Sequence, residues 1–171
     1  MDYNQFRAAL YNNFNYYPTY PNRISERNLN EITFQYSNQN TSFEEQNIAY
    51  AAGDFQYLCP SNLMADYYTK YGMNVYKYYF TNQANNRHGG DLAYIFGSIT
   101  TPIDEMKFSV KLMSYWANFI RKNDPNTDNN IQWPIYTTNS MRPYLNENKD
   151  NLSIMFNVRT EYCSVWDKIY E

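Results

Sequence analysis

Apolar positions recur at helical spacing in several stretches of the chain. Phe6 and Leu10 share one face of the segment 2–11, which Pro18 and Pro21 bring to an end. Ile48, Ala51, Ala52, Phe55 and Leu58 follow the same period, and Thr41 with Glu44 three residues later predicts a capping box at its start. Cys59, Pro60 and Ser61 predict a break and restart. Ser61 then caps a helix carrying Met64, Tyr67, Tyr68 and Tyr71 on one side, and Gly72 stops it.

The strongest helix start is at Thr101, with Pro102 expected at the first helical position and Asp104 and Glu105 at the positive end of the dipole. Met106, Val110, Met113, Ala117 and Ile120 line one face, and Leu112, Trp116 and Phe119 another. That pattern predicts burial on more than one side. Arg121 and Lys122 suit its C-terminal end, and a last helix from Val158 to Tyr170 points Val158, Tyr162, Val165 or Trp166, and Ile169 inward.

Two stretches alternate instead. Residues 75–80 are rich in β-formers, and Leu152, Ile154 and Phe156 alternate, so both read as strands. The polar, glycine-marked stretch from Asn85 through His88 to Asp91 is a loop, as is 124–130, after which Trp133, Pro134, Ile135 and Tyr136 re-enter the core. The result is an α/β chain of mostly helices on a few strands, without an internal repeat or long linker. Its 171 residues suit one domain, 1–171.

Composition changes the picture in three ways. Aromatics are 19% of the chain while Leu, Ile and Val are sparse, so the core must draw on Tyr, Phe and Met, with phenol tips seeking partners. Asn pairs at 12–13, 85–86 and 129–130 mark turns. A net charge of -3 with 14 scattered basic residues offers no face for nucleic acid. No run of about 18 apolar residues predicts a transmembrane segment, and the N-terminal residues lack the charge and apolar pattern of a signal peptide. Cys59 and Cys163 leave two readings open: buried free thiols of a cytosolic chain, or a bridge closing a loop of roughly 100 residues, worth about 4 to 5 kcal/mol and needing an oxidising compartment.

His88 is the one histidine. A lone loop imidazole is either a solvated or structural group, or a base poised near neutral pH. Metal binding needs converging ligands that no His or Cys cluster supplies. Gly89 and Gly90 precede no helix with a phosphate-loop lysine, and no Gly-x-Ser-x-Gly nucleophile turn occurs. The sequons at Asn40 and Asn151 are no more than chance supplies in so Asn-rich a chain.

In order, Gly53-Asp54, Cys59-Pro60, the 75–80 strand, His88-Gly89, and Tyr94 to Gly97 resemble the C-terminal third of type B carboxylesterases, the cholinesterase-like branch of the α/β-hydrolases. Met113 to Phe119, Asp124-Pro125-Asn126, Trp133 to Tyr136, and Arg159 with Cys163 and Trp166 continue the match. Acetylcholinesterase-like members are most similar, at Tyr115-Trp116-Ala117 and around Cys163. The resemblance is clear over 54–171 and weak over 1–53, where Ile32 to Tyr36 carries it.

The resemblance implies a partial carboxylesterase domain, the C-terminal part of an α/β-hydrolase fold. It gives His88 the role of triad histidine, pairs Cys59 with Cys163 in a disulfide, and pairs Asp54 with Arg159 in a buried ion pair. It implies an ester substrate for the full-length parent, secretion, a homodimer through late helices, and neither cofactor nor metal. The family's serine nucleophile and acid lie upstream of the matched region, so the chain is expected to be inactive alone. Departures bear on specificity: the loop before His88 lacks the family's tryptophan-containing insertion, Gly90 replaces a common aromatic, and Asp91 replaces a usual glutamate. A neuroligin-like, non-catalytic adhesion ectodomain is the alternative parent, and a free-standing binding protein evolved from the fragment a third.

Overall fold

The computed structural model describes residues 2–15, 24–37, 45–82, 87–139 and 141–170. The capping box at 41–44, Pro18 and Pro21, the Asn85-Asn86 turn and the Asn40 sequon lie outside them. In chain order the elements are α1 (Tyr3–Asn15), α2 (Glu26–Ser37), α3 (Glu45–Gly53), a π-helical turn (Asp54–Leu58), α4 (Cys59–Lys70), β1 (Tyr78–Phe80), α5 (Leu92–Ile95), α6 (Ile103–Lys122), β2 (Pro143–Glu147), β3 (Ser153–Phe156) and α7 (Thr160–Tyr170). They form two compact units, one of residues 1–64 with 159–171 and one of residues 65–158.

The first unit is helical. Phe6, Leu10 and Phe14 of α1, Leu29, Ile32 and Tyr36 of α2, and Val165 and Trp166 of α7 meet in one buried cluster with Ala51, Phe55 and Cys59. Trp166 is its centre: its ring lies 5.0 Å from that of Phe14 and 4.9 Å from that of Phe55. Helix α2 has no counterpart in the sequence reading, because its polar residues outnumber the Leu29, Ile32 and Tyr36 that carry its face.

No break occurs at Cys59. The helix widens instead through 54–58, where the Cys59 N–H reaches back five residues to the Asp54 carbonyl. Pro60, which has no N–H to place, follows directly in α4 without leaving an acceptor misaligned. Ser61 therefore lies inside α4 rather than before its start, and its hydroxyl donates to the Leu58 carbonyl at 2.9 Å. Gly72 does end α4: at φ +77 it donates to the Thr69 carbonyl while Met73 donates to that of Tyr68. The face of Met64, Tyr67, Tyr68 and Tyr71 is exposed.

The second unit holds a three-stranded sheet in the order β1-β2-β3, with β1 parallel and β2–β3 antiparallel. Tyr78 pairs with Leu145 and Phe80 with Glu147 on one side of β2, and Leu145 pairs with Ile154 on the other. Only the second half of the expected 75–80 strand is laddered. In its first half the Val75 carbonyl accepts from the Tyr136 N–H in coil, and the Lys77 carbonyl from the Leu145 N–H of β2. Tyr94, Phe108, Leu112, Tyr115, Trp133 and Leu145 make the core, closed by Tyr76, Tyr78 and Phe80.

Helix α6 begins one residue later than expected. Pro102 is the extended cap residue, with no side-chain cap from Thr101, and Met106 N–H closes the first turn on the Pro102 carbonyl. Its buried residues are Glu105, Phe108, Ser109, Leu112 and Tyr115. The neighbouring stripe of Ile103, Met106, Val110 and Ile120 is exposed, Val110 at 54% and Ile120 at 77%, which corrects the expectation of burial on more than one side.

Candidate functional site

His88 stands exposed on a tight turn of residues 87–91. Gly90 N–H donates to the Arg87 carbonyl at 2.8 Å and Leu92 N–H to the Gly89 carbonyl at 3.2 Å. Gly89 has φ +75, a conformation that a side chain would strain. The same turn runs into α5, because the Asp91 carbonyl accepts from both Tyr94 and Ile95 at 3.0 Å.

One side-chain bond ties this turn to β1, and a buried cluster holds the α5 segment that follows it. Past His88, the Tyr78 hydroxyl of β1 donates to Asp91 Oδ2 at 2.7 Å. Burial, and then that hydrogen bond to a carboxylate, push the Tyr78 phenol far above its ordinary value. Before His88, Asn82 is buried and donates to Tyr94 Oη at 2.9 Å and to Glu105 Oε2 at 3.0 Å, while Tyr94 donates to the same Glu105 oxygen at 2.7 Å. Burial and the Glu105 bond raise the Tyr94 hydroxyl to about 12. Ser109 completes the anchor by donating to the Tyr94 carbonyl at 2.6 Å. The imidazole is exposed on a short turn whose last residue is tied to β1 through the Tyr78 hydroxyl.

The other residues singled out in the sequence lie in the helical unit. Cys59 and Cys163 form a disulfide. Arg159 grips Asp54 with Nε at 2.8 Å from Oδ1 and Nη2 at 2.7 Å from Oδ2, a bidentate pair with a nearly buried carboxylate. The second Asp54 oxygen also accepts from the Tyr36 hydroxyl at 2.7 Å, which in turn accepts from Trp166 Nε1 at 2.8 Å. Desolvation and then the Asp54 charge drive the Tyr36 phenol far up. The Arg159 guanidinium lies over the Tyr162 ring at 4.1 Å.

Asn82, Tyr78 and Glu105 carry no mark in the sequence as partners of the histidine turn and the segment after it; their role appears only when β1 and α6 meet around Tyr94. Nor does Lys77, buried with its ammonium 4.9 Å from the Tyr144 ring centroid and lowered to about 7 by desolvation. Among the described residues, no group of three or more His, Cys, Asp or Glu is placed to hold a metal ion. No helix of the described residues is long and apolar enough to cross a membrane.

The model of the carboxylesterase family matches residues 2–166, and the chain belongs to that family. Acetylcholinesterases are among its relatives. It is 28% identical over 162 residues to an acetylcholinesterase of Leptinotarsa decemlineata, covering 84% of this chain and 25% of that protein. It is 30% identical over 131 residues to acetylcholinesterases of Bungarus fasciatus and Gallus gallus, covering 67% and 68% of this chain but 22% and 17% of those proteins. The chain thus spans a quarter or less of the length of these relatives. The family implies an α/β-hydrolase, and the structure is helix-rich with a small three-stranded sheet.

Proposed function

We propose that residues 1–171 are one partial carboxylesterase domain, the C-terminal part of an α/β-hydrolase-fold ester hydrolase, and that His88 is its triad histidine. The observation that carries this reading is the exposed imidazole on a tight turn tied to β1 by the hydrogen bond from Tyr78 to Asp91. In the full-length parent the imidazole takes the serine proton as the hydroxyl attacks the ester carbonyl, and returns it to the leaving alcohol. The serine and the acid that orients the imidazole come from sequence upstream of the matched region. Alone, the chain has no recognisable serine for His88 to activate.

The substrate of the parent is a carboxylic ester. The disulfide fits a chain that matures in an oxidising compartment, and hence a secreted or extracellular protein. Late helices, α7 among them, contribute to a homodimer of the parent. The test is direct. Purified chain incubated with a thioester such as acetylthiocholine is expected to give no turnover above buffer, and turnover abolished by His88→Ala would overturn the fragment reading.

A further inference from the structure

Strand β2 ends on Glu147, a fully buried residue. Among the described residues neither of its carboxyl oxygens has a hydrogen-bond partner. It follows Leu145 by two positions and so shares its strand face, the face that meets Tyr94, Phe108, Leu112 and Tyr115. An ionised carboxyl without donors in such a place is strongly disfavoured. The titratable groups that act on it or feel it are Asp91 on the histidine turn, Tyr78 on β1 and Tyr115 on α6. None of the three is a cation.

Asp91 is also the residue whose carboxylate ties the histidine turn to Tyr78. We propose that Glu147 is a proton-dependent latch on that turn. Neutral, it leaves Asp91 free to keep its charge and its bond from Tyr78. Ionised, it loses its proton to solvent, sets a second negative charge against Asp91, and demands donors that its buried site does not offer; the Asp91 anchor then lets go and the turn carrying His88 loosens. Glu147 acts through Asp91 and is a positioning residue. Its consequence for catalysis rests on the proposed role of His88, but the latch itself does not.

Burial first, and the Asp91 charge second, raise the Glu147 carboxyl to about 8. The folded chain therefore keeps this proton from the ordinary carboxylate range up to about pH 8, while the unfolded chain has already lost it. Stability from this group is greatest at the acid end of that window, falls as pH rises through it, and is flat above it.

One imidazole in the chain makes the turn readable by NMR. We expect the His88 ring signals, followed from pH 5.5 to 9.5, to show a step near pH 8 that depends on Glu147. Protection of the Gly90 and Leu92 amides against exchange should fall there by about tenfold as the turn opens. Glu147→Gln, the shape of the neutral acid, should abolish the step near pH 8, and so should Glu147→Leu, which fills the site with an apolar group. Asp91→Asn, which removes the charge through which Glu147 acts, should abolish it as well. A step near pH 8 that survives in any of these variants, or its absence from the unaltered chain, would overturn the latch. Ester turnover does not enter the readout, so the triad role of His88 stands or falls separately.

Discussion

At the scale of single residues, Asp54 gathers several polar partners inside the helical unit. Its carboxylate takes three bonds from Arg159 and one from Tyr36, and Trp166 completes the line through the Tyr36 hydroxyl. Removing the cation leaves a buried charge with one neutral donor. Arg159→Ala is therefore expected to cost about 3 to 5 kcal/mol, read as a lowered urea midpoint of unfolding with an unchanged slope. Arg159→Lys should recover only part of it, since a point charge cannot repeat the fork or lie flat on Tyr162. Asp54 and Arg159 were legible through the resemblance, because both stand in motifs that a family shares. Tyr36 and Glu147 were not. Tyr36 meets its partner Trp166 across 130 residues of chain, and Glu147 sits in a run of Asn, Glu, Lys and Asp that reads as loop when burial is unknown.

The elements were legible where periodicity is strong, as in α6 and α7, and obscure where polar residues dilute it. Strand β2 begins on Pro143 and carries Asn146 and Glu147, all three poor β-formers, yet every residue in it is buried, so tertiary packing overrides propensity. Buried faces were the least legible feature. The apolar stripes of α4 and α6 are broader than the surfaces available to cover them, and the period alone does not say which part is covered. The Cys59–Cys163 disulfide joins the first turn of α4 to α7 across a separation of 104 residues. Reduction of that bond, or the double change Cys59→Ser with Cys163→Ser, is expected to cost about 2 to 5 kcal/mol. Thermal unfolding with and without reductant measures it, with loss of Trp166 burial followed by fluorescence.

For the molecule as a whole, the exposed stripe of Ile103, Met106, Val110 and Ile120 runs along a 20-residue helix, and Phe96 of the same unit is 76% exposed. Contiguous apolar surface of this kind promotes association. We expect sedimentation of the purified chain to depend on concentration, and Val110→Lys with Ile120→Lys to shift it toward monomer. A monomer at all concentrations with a sharp cooperative melt would contradict the expectation. The helical unit has a further property: it is discontinuous in the chain, built from residues 1–64 and 159–171, whereas the sheet-bearing unit is one uninterrupted run. Synthesis proceeds from the N-terminus. Phe6, Leu10, Phe14, Leu29 and Ile32 leave the ribosome long before Trp166, the ring around which they assemble, has been translated. The sheet-bearing unit can close first, and the first-made helices must wait, apolar side outward, for the last-made one. A chaperone that shields α1 to α3 during that interval would raise the yield of folded chain, and a stop placed before α7 would leave those helices with nothing to fold around.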